Sequence, residues 1–260
     1  MAFNPNGNSY RTAQAGYAVA GNAALDQGLR SYMLRVYNWM ASGLVLTGLV
    51  AFTISHTALM NAFYPVVQTP YGLQIHPTML AEISIFAPIA FVFALSFGIN
   101  KLSTTAAQAL FWAYCATMGA SLTSIFVIYT QTSISEVFFI AAGMFAGTSL
   151  FGYTTKRDLT SWGSFFIMGV IGLLIAMVVN MFLHSPAIAY AISLIGVFVF
   201  VGLTAYDTQR MKVQYLQYGG MYGADMAGKR SVMDALSLYL NFINLFLFLL
   251  QLFGQRTSSR

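Results

Sequence analysis

The chain has 260 residues, of which 58% are hydrophobic and 7% charged, and its formal net charge is +5. A soluble domain carries about 25% charged residues, so this chain cannot cover a water-facing surface and reads as an integral membrane protein. The modest basic excess suits loops at a membrane face; with no basic run interleaved with aromatics, nucleic-acid binding is excluded.

Seven apolar runs are long enough to span: Val36–Ser55, Leu80–Ile99, Ala107–Tyr129, Glu136–Tyr153, Ser164–Leu183, Ile188–Tyr206 and Val232–Phe253. Each span needs about 20 residues. All are expected to be helices, because backbone in lipid must satisfy its own hydrogen bonds. Residues 1–33 read as a polar, mobile N-terminal tail without a cleavable signal, 34–254 as the transmembrane domain and 255–260 as a C-terminal tail. The segment Asn61–Thr78, with Pro65, Pro70 and Pro77, reads as the longest loop on one side. Thr208–Arg230, with the Gly-rich stretch Tyr218–Ala224, reads as a mobile loop on the other. Pro88 is expected to kink span two.

Lys and Arg are distributed unequally. Arg11, Arg30, Arg35, Lys101, Lys156, Arg157, Arg210, Lys212, Lys229 and Arg230 fall on one side, against Arg256 and Arg260 on the other. That imbalance predicts a cytoplasmic N-terminus. Gly43 and Gly48, Gly143 and Gly147, Gly169 and Gly172, Gly196 and Gly202 have close-packing spacing. They are expected to pack within one bundle, with a dimer interface as the alternative.

Polar groups near the spans are few. Glu82, Glu136, His56, His76 and His184 fall at outer ends or in outer loops and lack any paired metal-ligand spacing. Cys115 sits inside an apolar run and reads as a buried thiol. No nucleotide-binding or nucleophile motif is present, so no enzymatic activity and no cofactor are expected. Asp207 closes span six, with Arg210 at i+3 as an ion-pair partner anchoring the helix end. Asp234 opens span seven at what should be a similar depth. Asp234, Asn241 and Asn244 form a polar stripe on an otherwise apolar helix, which argues that span seven is central.

The runs Ala107–Trp112, Gly152–Leu159, Phe198–Gln209 and Ala235–Phe246 closely resemble the Bax inhibitor family (transmembrane Bax inhibitor motif) in its bacterial branch. The resemblance implies an all-α polytopic protein, a seven-transmembrane-helix bundle with the last helix central. It implies a multi-pass protein of the bacterial inner (plasma) membrane. It also implies a pH-sensitive calcium leak channel, with calcium or another cation as permeant ion. In that leak an aspartate pair on spans six and seven forms the gate. Asp207 matches the first aspartate; the second position holds Asn241. Two facing carboxylates share a proton and titrate as a unit; aspartate facing asparagine lacks that repulsion, so shallower pH gating is expected. The family latch also uses an arginine from span two, and no Lys or Arg lies between Glu82 and Asn100. Asp207 with Asn241 and Asn244 would make only a weak calcium contact, since calcium prefers six to eight oxygens. The alternative implied by the resemblance is a non-channel regulator that binds and modulates a membrane-bound AAA protease complex.

Overall fold

The computed structural model describes residues 7–69, 72–99, 101–221 and 223–257. Among them, seven helices are long and apolar enough to cross a membrane. In chain order the helices are α1 (Gly7–Ser55), α2 (Leu59–Phe63), α3 (Met79–Gly98), α4 (Thr104–Leu122), α5 (Ser124–Ile128), α6 (Gln131–Thr154), α7 (Thr160–Leu183), α8 (Pro186–Tyr218) and α9 (Ala224–Phe253). The fold is the expected all-α bundle, with α9 in the middle. In its apolar 18-residue stretch 61% of residues are buried, against 6% in that of α7, and α9 packs against α1, α4, α6 and α8.

Several boundaries differ from those expected. α1 is already helical from Gly7, and Leu29, Tyr32 and Met33, assigned to the tail, are buried. Residues 1–6 of that tail, and 258–260 of the C-terminal tail with Arg260, lie outside the described residues. Span three breaks at Thr123, where Thr123 N donates to Ala120 O at 3.3 Å and a short helix, α5, follows. Span six does not end near Asp207: α8 runs on to Tyr218, and a 3-10 turn, Gly219–Met221, leads towards α9. Most of the expected mobile loop is therefore helix. Tyr215 stacks on Tyr32 at 5.0 Å, and a Cβ at Gly28 would meet Tyr215 Oη at 2.6 Å. Those contacts give the extension of α8 a partner on α1.

The proline-containing outer segment folds into α2 and a hairpin of β1 (Val66–Thr69) and β2 (Gly72–Ile75), with Val66 opposite Ile75. Gly72 has φ 109°, which L side chains rarely adopt. α3 continues through buried Pro88. At the C-terminus, Tyr129 and Arg256 form an antiparallel bridge, flanked by Thr130 N to Gln255 O (3.0 Å) and Thr257 N to Ile128 O (2.9 Å). Gln255 N also donates to Ser133 Oγ at 2.9 Å. The tail after α9 is thus strapped to the α5–α6 junction.

The glycines divide in two. A Cβ at Gly43 would meet Cys115 Sγ at 2.8 Å, at Gly169 Val199 at 3.1 Å, and at Gly196 the Phe248 ring at 2.6 Å. At Gly202 it would meet the Phe166 ring at 2.1 Å. These four pack helix on helix, as expected. Gly48, Gly143, Gly147 and Gly172 would meet nothing within 4 Å, so the Gly143–Gly147 motif does not pack inside the bundle.

Candidate functional site

Buried residues of α8 recur at Ser193, Gly196, Val197, Phe200, Leu203, Thr204, Asp207, Thr208 and Met211. That is one helical face, and Asp207, two turns after Phe200, occupies a core position on it. Its side chain is 8% exposed. Asn241 of α9 donates from Nδ2 to Asp207 Oδ2 at 2.7 Å. A carboxylate only accepts, so the amide nitrogen is the atom that faces it. Arg210 Nη2 lies 3.0 Å from Asp207 Oδ1. Both carboxylate oxygens are therefore engaged, one across to α9 and one along α8. Arg210 does pair with Asp207 as expected, yet it anchors no helix end, because α8 continues for about two more turns, to Tyr218.

Of the two candidate partners on α9 it is Asn241, not Asp234, that bonds Asp207; Asp234 lies seven residues, about two turns, earlier on α9. Asp234 is also buried, and accepts a hydrogen bond from Tyr32 Oη at 2.5 Å. Asn244 is half-buried and donates to Leu240 O of its own helix at 2.8 Å. The polar stripe of α9 is thus split: Asp234 to α1, Asn241 to α8, Asn244 to its own backbone.

Tyr32 is a site residue that sequence reasoning missed. Its signal was there, since Leu29, Tyr32, Met33, Val36 and Met40 are all buried and follow helical spacing back through the supposed tail. A hydrogen bond to a charged group contributes about 1.5–3 kcal/mol. Tyr32→Phe should therefore lower stability by about 2 kcal/mol in detergent thermal unfolding. Tyr37→Phe, which breaks only the neutral contact of Tyr37 Oη with Ser149 Oγ (2.5 Å), should cost about 1 kcal/mol. Equal shifts for the two would rule out a charged acceptor at Asp234.

A cavity of about 330 Å³ on the basic face is lined by Arg210, Met226, Lys229, Arg230, Asp234 and Ser237, among others. Lys229 Nζ lies 2.9 Å from Asp225, and Arg230 hydrogen-bonds Gln214. Three cationic side chains thus frame the approach to Asp234. Outside the spans, on the α6–α7 connection, the hydroxyl and then the N–H of Thr160 bond Asp158 and hold its carboxyl below the usual carboxylate range. Among the described residues no group of three or more His, Cys, Asp or Glu converges as a metal site. Glu82, Glu136, His56, His76 and His184 are exposed. His184 has φ 50° and caps the end of α7.

A second polar cluster lies deeper in the bundle. Thr47 Oγ1 bonds Cys115 O at 2.8 Å and Tyr239 Oη at 2.6 Å. Tyr239 in turn packs edge-on to buried Tyr114 at 5.3 Å. These groups tie α1 and α4 to the central helix.

A family model described as Inhibitor of apoptosis-promoting Bax1 matches residues 29–258. The chain belongs to the Bax inhibitor family. The inner membrane protein YbhL of Escherichia coli (strain K12) is 44% identical over 230 residues, 88% of this chain and 93% of that protein. A Rickettsia prowazekii protein is 44% identical over 236 residues, 90% of this chain and 94% of its own. A Streptococcus pyogenes protein named as a membrane protein is 32% identical over 230 residues, 88% of this chain and 95% of its own. The Bax inhibitor match starts at Leu29, the first buried residue of the face that carries Tyr32.

Proposed function

We propose that this Bax inhibitor family protein is a passive cation leak of the bacterial inner membrane. Calcium is the permeant ion, Asp207 the gate acid, and the N-terminus faces the cytoplasm. The observation that carries the reading is a buried carboxylate at the α8–α9 interface with both oxygens engaged, by Asn241 and by Arg210. Charged groups inside a membrane bundle are costly and mark ion pathways. The arrangement is a closed latch. A cation reaching Asp207 must displace the guanidinium or the amide, and once freed the Asn241 oxygen can join the carboxylate in contacting it. Two such side chains fall well short of the six to eight oxygens of a tight calcium site, which suits passage over holding. No covalent chemistry or cofactor is required. Regulation of a membrane protease, the rival reading, has no feature among the described residues that favours it.

Purified protein in liposomes loaded with a calcium indicator tests the leak. Flux above that of protein-free liposomes is expected, and none at any pH would overturn the proposal. Asn241→Asp adds a second carboxylate facing Asp207. As the pair becomes fully ionised the two charges repel across the latch, so flux in this variant should rise with pH more steeply than in the native chain. Identical pH profiles would remove the α8–α9 contact from gating.

A further inference from the structure

We infer that the cleft between α1 and α6 binds one anionic phospholipid, with an acyl chain in the cleft and the headgroup phosphate at Arg30. The cleft has a volume of about 540 Å³, and Met33, Leu34, Phe145, Ala146 and Leu150 form its apolar walls. Tyr37 bridges its floor: its hydroxyl contacts Ser149 Oγ at 2.5 Å, and Ser149 contacts Thr208 Oγ1 at 3.0 Å. Leu34 and Leu150 are 52% and 63% exposed, so the cleft opens sideways, on two helices that are both candidate spans. Its outward continuation along α6 is bare backbone, since a Cβ at Gly143 or Gly147 would meet nothing within 4 Å. A side opening between membrane-spanning helices faces acyl chains, which selects lipid over a peptide or a soluble ligand.

Charge selects the headgroup. The cleft extends about 10 Å along α1 from Tyr37 to Arg30, and Arg30 stands at its basic end. Arg30 is exposed and makes no ion pair among the described residues, even with Asp26 one turn away. The three cations around the α8–α9 cavity are engaged instead: Arg210 is held by Asp207, Lys229 by Asp225 and Arg230 by Gln214. A second positive charge stands behind the same end of the cleft, where Lys212 Nζ donates to Tyr153 O at 2.7 Å and lies over the Tyr153 ring. Basic pockets between spanning helices are suited to anionic headgroups. Ser149 on the floor contacts Thr208, the residue after Asp207, so the lipid would sit one side chain away from the helix that carries the proposed gate acid.

Native mass spectrometry of the full chain in micelles containing equal phosphatidylglycerol and phosphatidylethanolamine tests the inference. It measures lipid retention without flux, and so stands or falls separately from the leak. The native chain should retain one phosphatidylglycerol in preference to phosphatidylethanolamine. Arg30→Gln should cut that preference about fivefold, the equivalent of about 1 kcal/mol for one basic residue at a membrane surface. Ala146→Phe, which fills the cleft from an exposed position, should abolish retention of either lipid. Lys101→Gln, an exposed basic residue elsewhere on the same end, should change nothing. Equal retention of the two lipids by the native chain, or unchanged preference in Arg30→Gln, overturns the inference. So does unchanged retention in Ala146→Phe, because the headgroup would then be held outside the cleft.

Discussion

Asp207→Asn is expected to reduce calcium flux into liposomes by more than tenfold while leaving the fold intact. The substitution keeps shape and removes one negative charge from a position 8% exposed. Two opposed effects follow. The latch loosens, because Arg210 loses its ionic partner, and that alone would favour opening. Against this, the proposed pathway loses the carboxylate that would meet the cation and gains the uncompensated charge of Arg210. A unit charge about 4 Å away is worth about 4 kcal/mol at an effective dielectric constant near 20, and more for a divalent ion. A charge-assisted hydrogen bond contributes only about 1.5–3 kcal/mol. The electrostatic loss wins, and about 1.4 kcal/mol of added barrier already gives a factor of ten. Arg210→Gln reverses the balance: the carboxylate stays, one arm of the latch goes, and the positive charge disappears, so flux should rise. Native-like flux in Asp207→Asn, with unaltered thermal unfolding, would remove Asp207 from the pathway. A fall in Arg210→Gln would show that the guanidinium does not bar cations.

The seven spans were legible because hydrophobicity over about 20 residues is a strong local signal, and the central place of α9 was legible from its polar face. Asp207 and Asn241 were legible as a pair through family resemblance. What hydropathy could not show lies beyond the bilayer core. The turns of α8 after Asp207 carry three Gln with Arg210 and Lys212, so they read as loop, yet a helix in water needs only a packing partner on one side, and Tyr215 finds one in Tyr32 and Gly28. Tyr32 was hidden for the same reason, in a segment judged by polarity and not by period. The hairpin at Val66–Ile75 and the strap at Gln255–Thr257 depend on pairing of backbone groups distant from any side-chain pattern. The arginine of the latch was sought on span two. The structure supplies a guanidinium from Arg210, one turn from the acid it holds, so a side chain read as a helix-end anchor belongs to the proposed latch.

Gly152→Ala should be among the most destabilising single-methyl additions in the bundle, costing about 3 kcal/mol or more, the upper end for overpacking a tight core. A Cβ there would lie 2.3 Å from Ala205 O and 2.9 Å from Ala205 C and Cα. Every obstructing atom is backbone, so no rotamer change relieves the clash, and α6 and α8 must separate. Gly202→Ala is a useful contrast. Its Cβ would meet the Phe166 ring at 2.1 Å, but that ring is a half-buried side chain on peripheral α7 and can swing towards lipid, so the cost should be smaller. Gly147→Ala, facing open space, should be neutral or stabilising within the ~1 kcal/mol by which Ala favours a helix over Gly. The expected order in detergent thermal unfolding is Gly152→Ala lowest, then Gly202→Ala, then Gly147→Ala at or above the native chain. Small residues let membrane helices approach closely, and at Gly152 that approach fixes the position of Ala205, two residues before Asp207. Forcing α8 away from α6 also disturbs the Ser149–Thr208 contact at 3.0 Å. Gly152→Ala should therefore alter calcium flux in any protein that remains folded, whereas Gly147→Ala should not. Equal melting temperatures for these two variants would mean that the α6–α8 contact is looser than the structure has it.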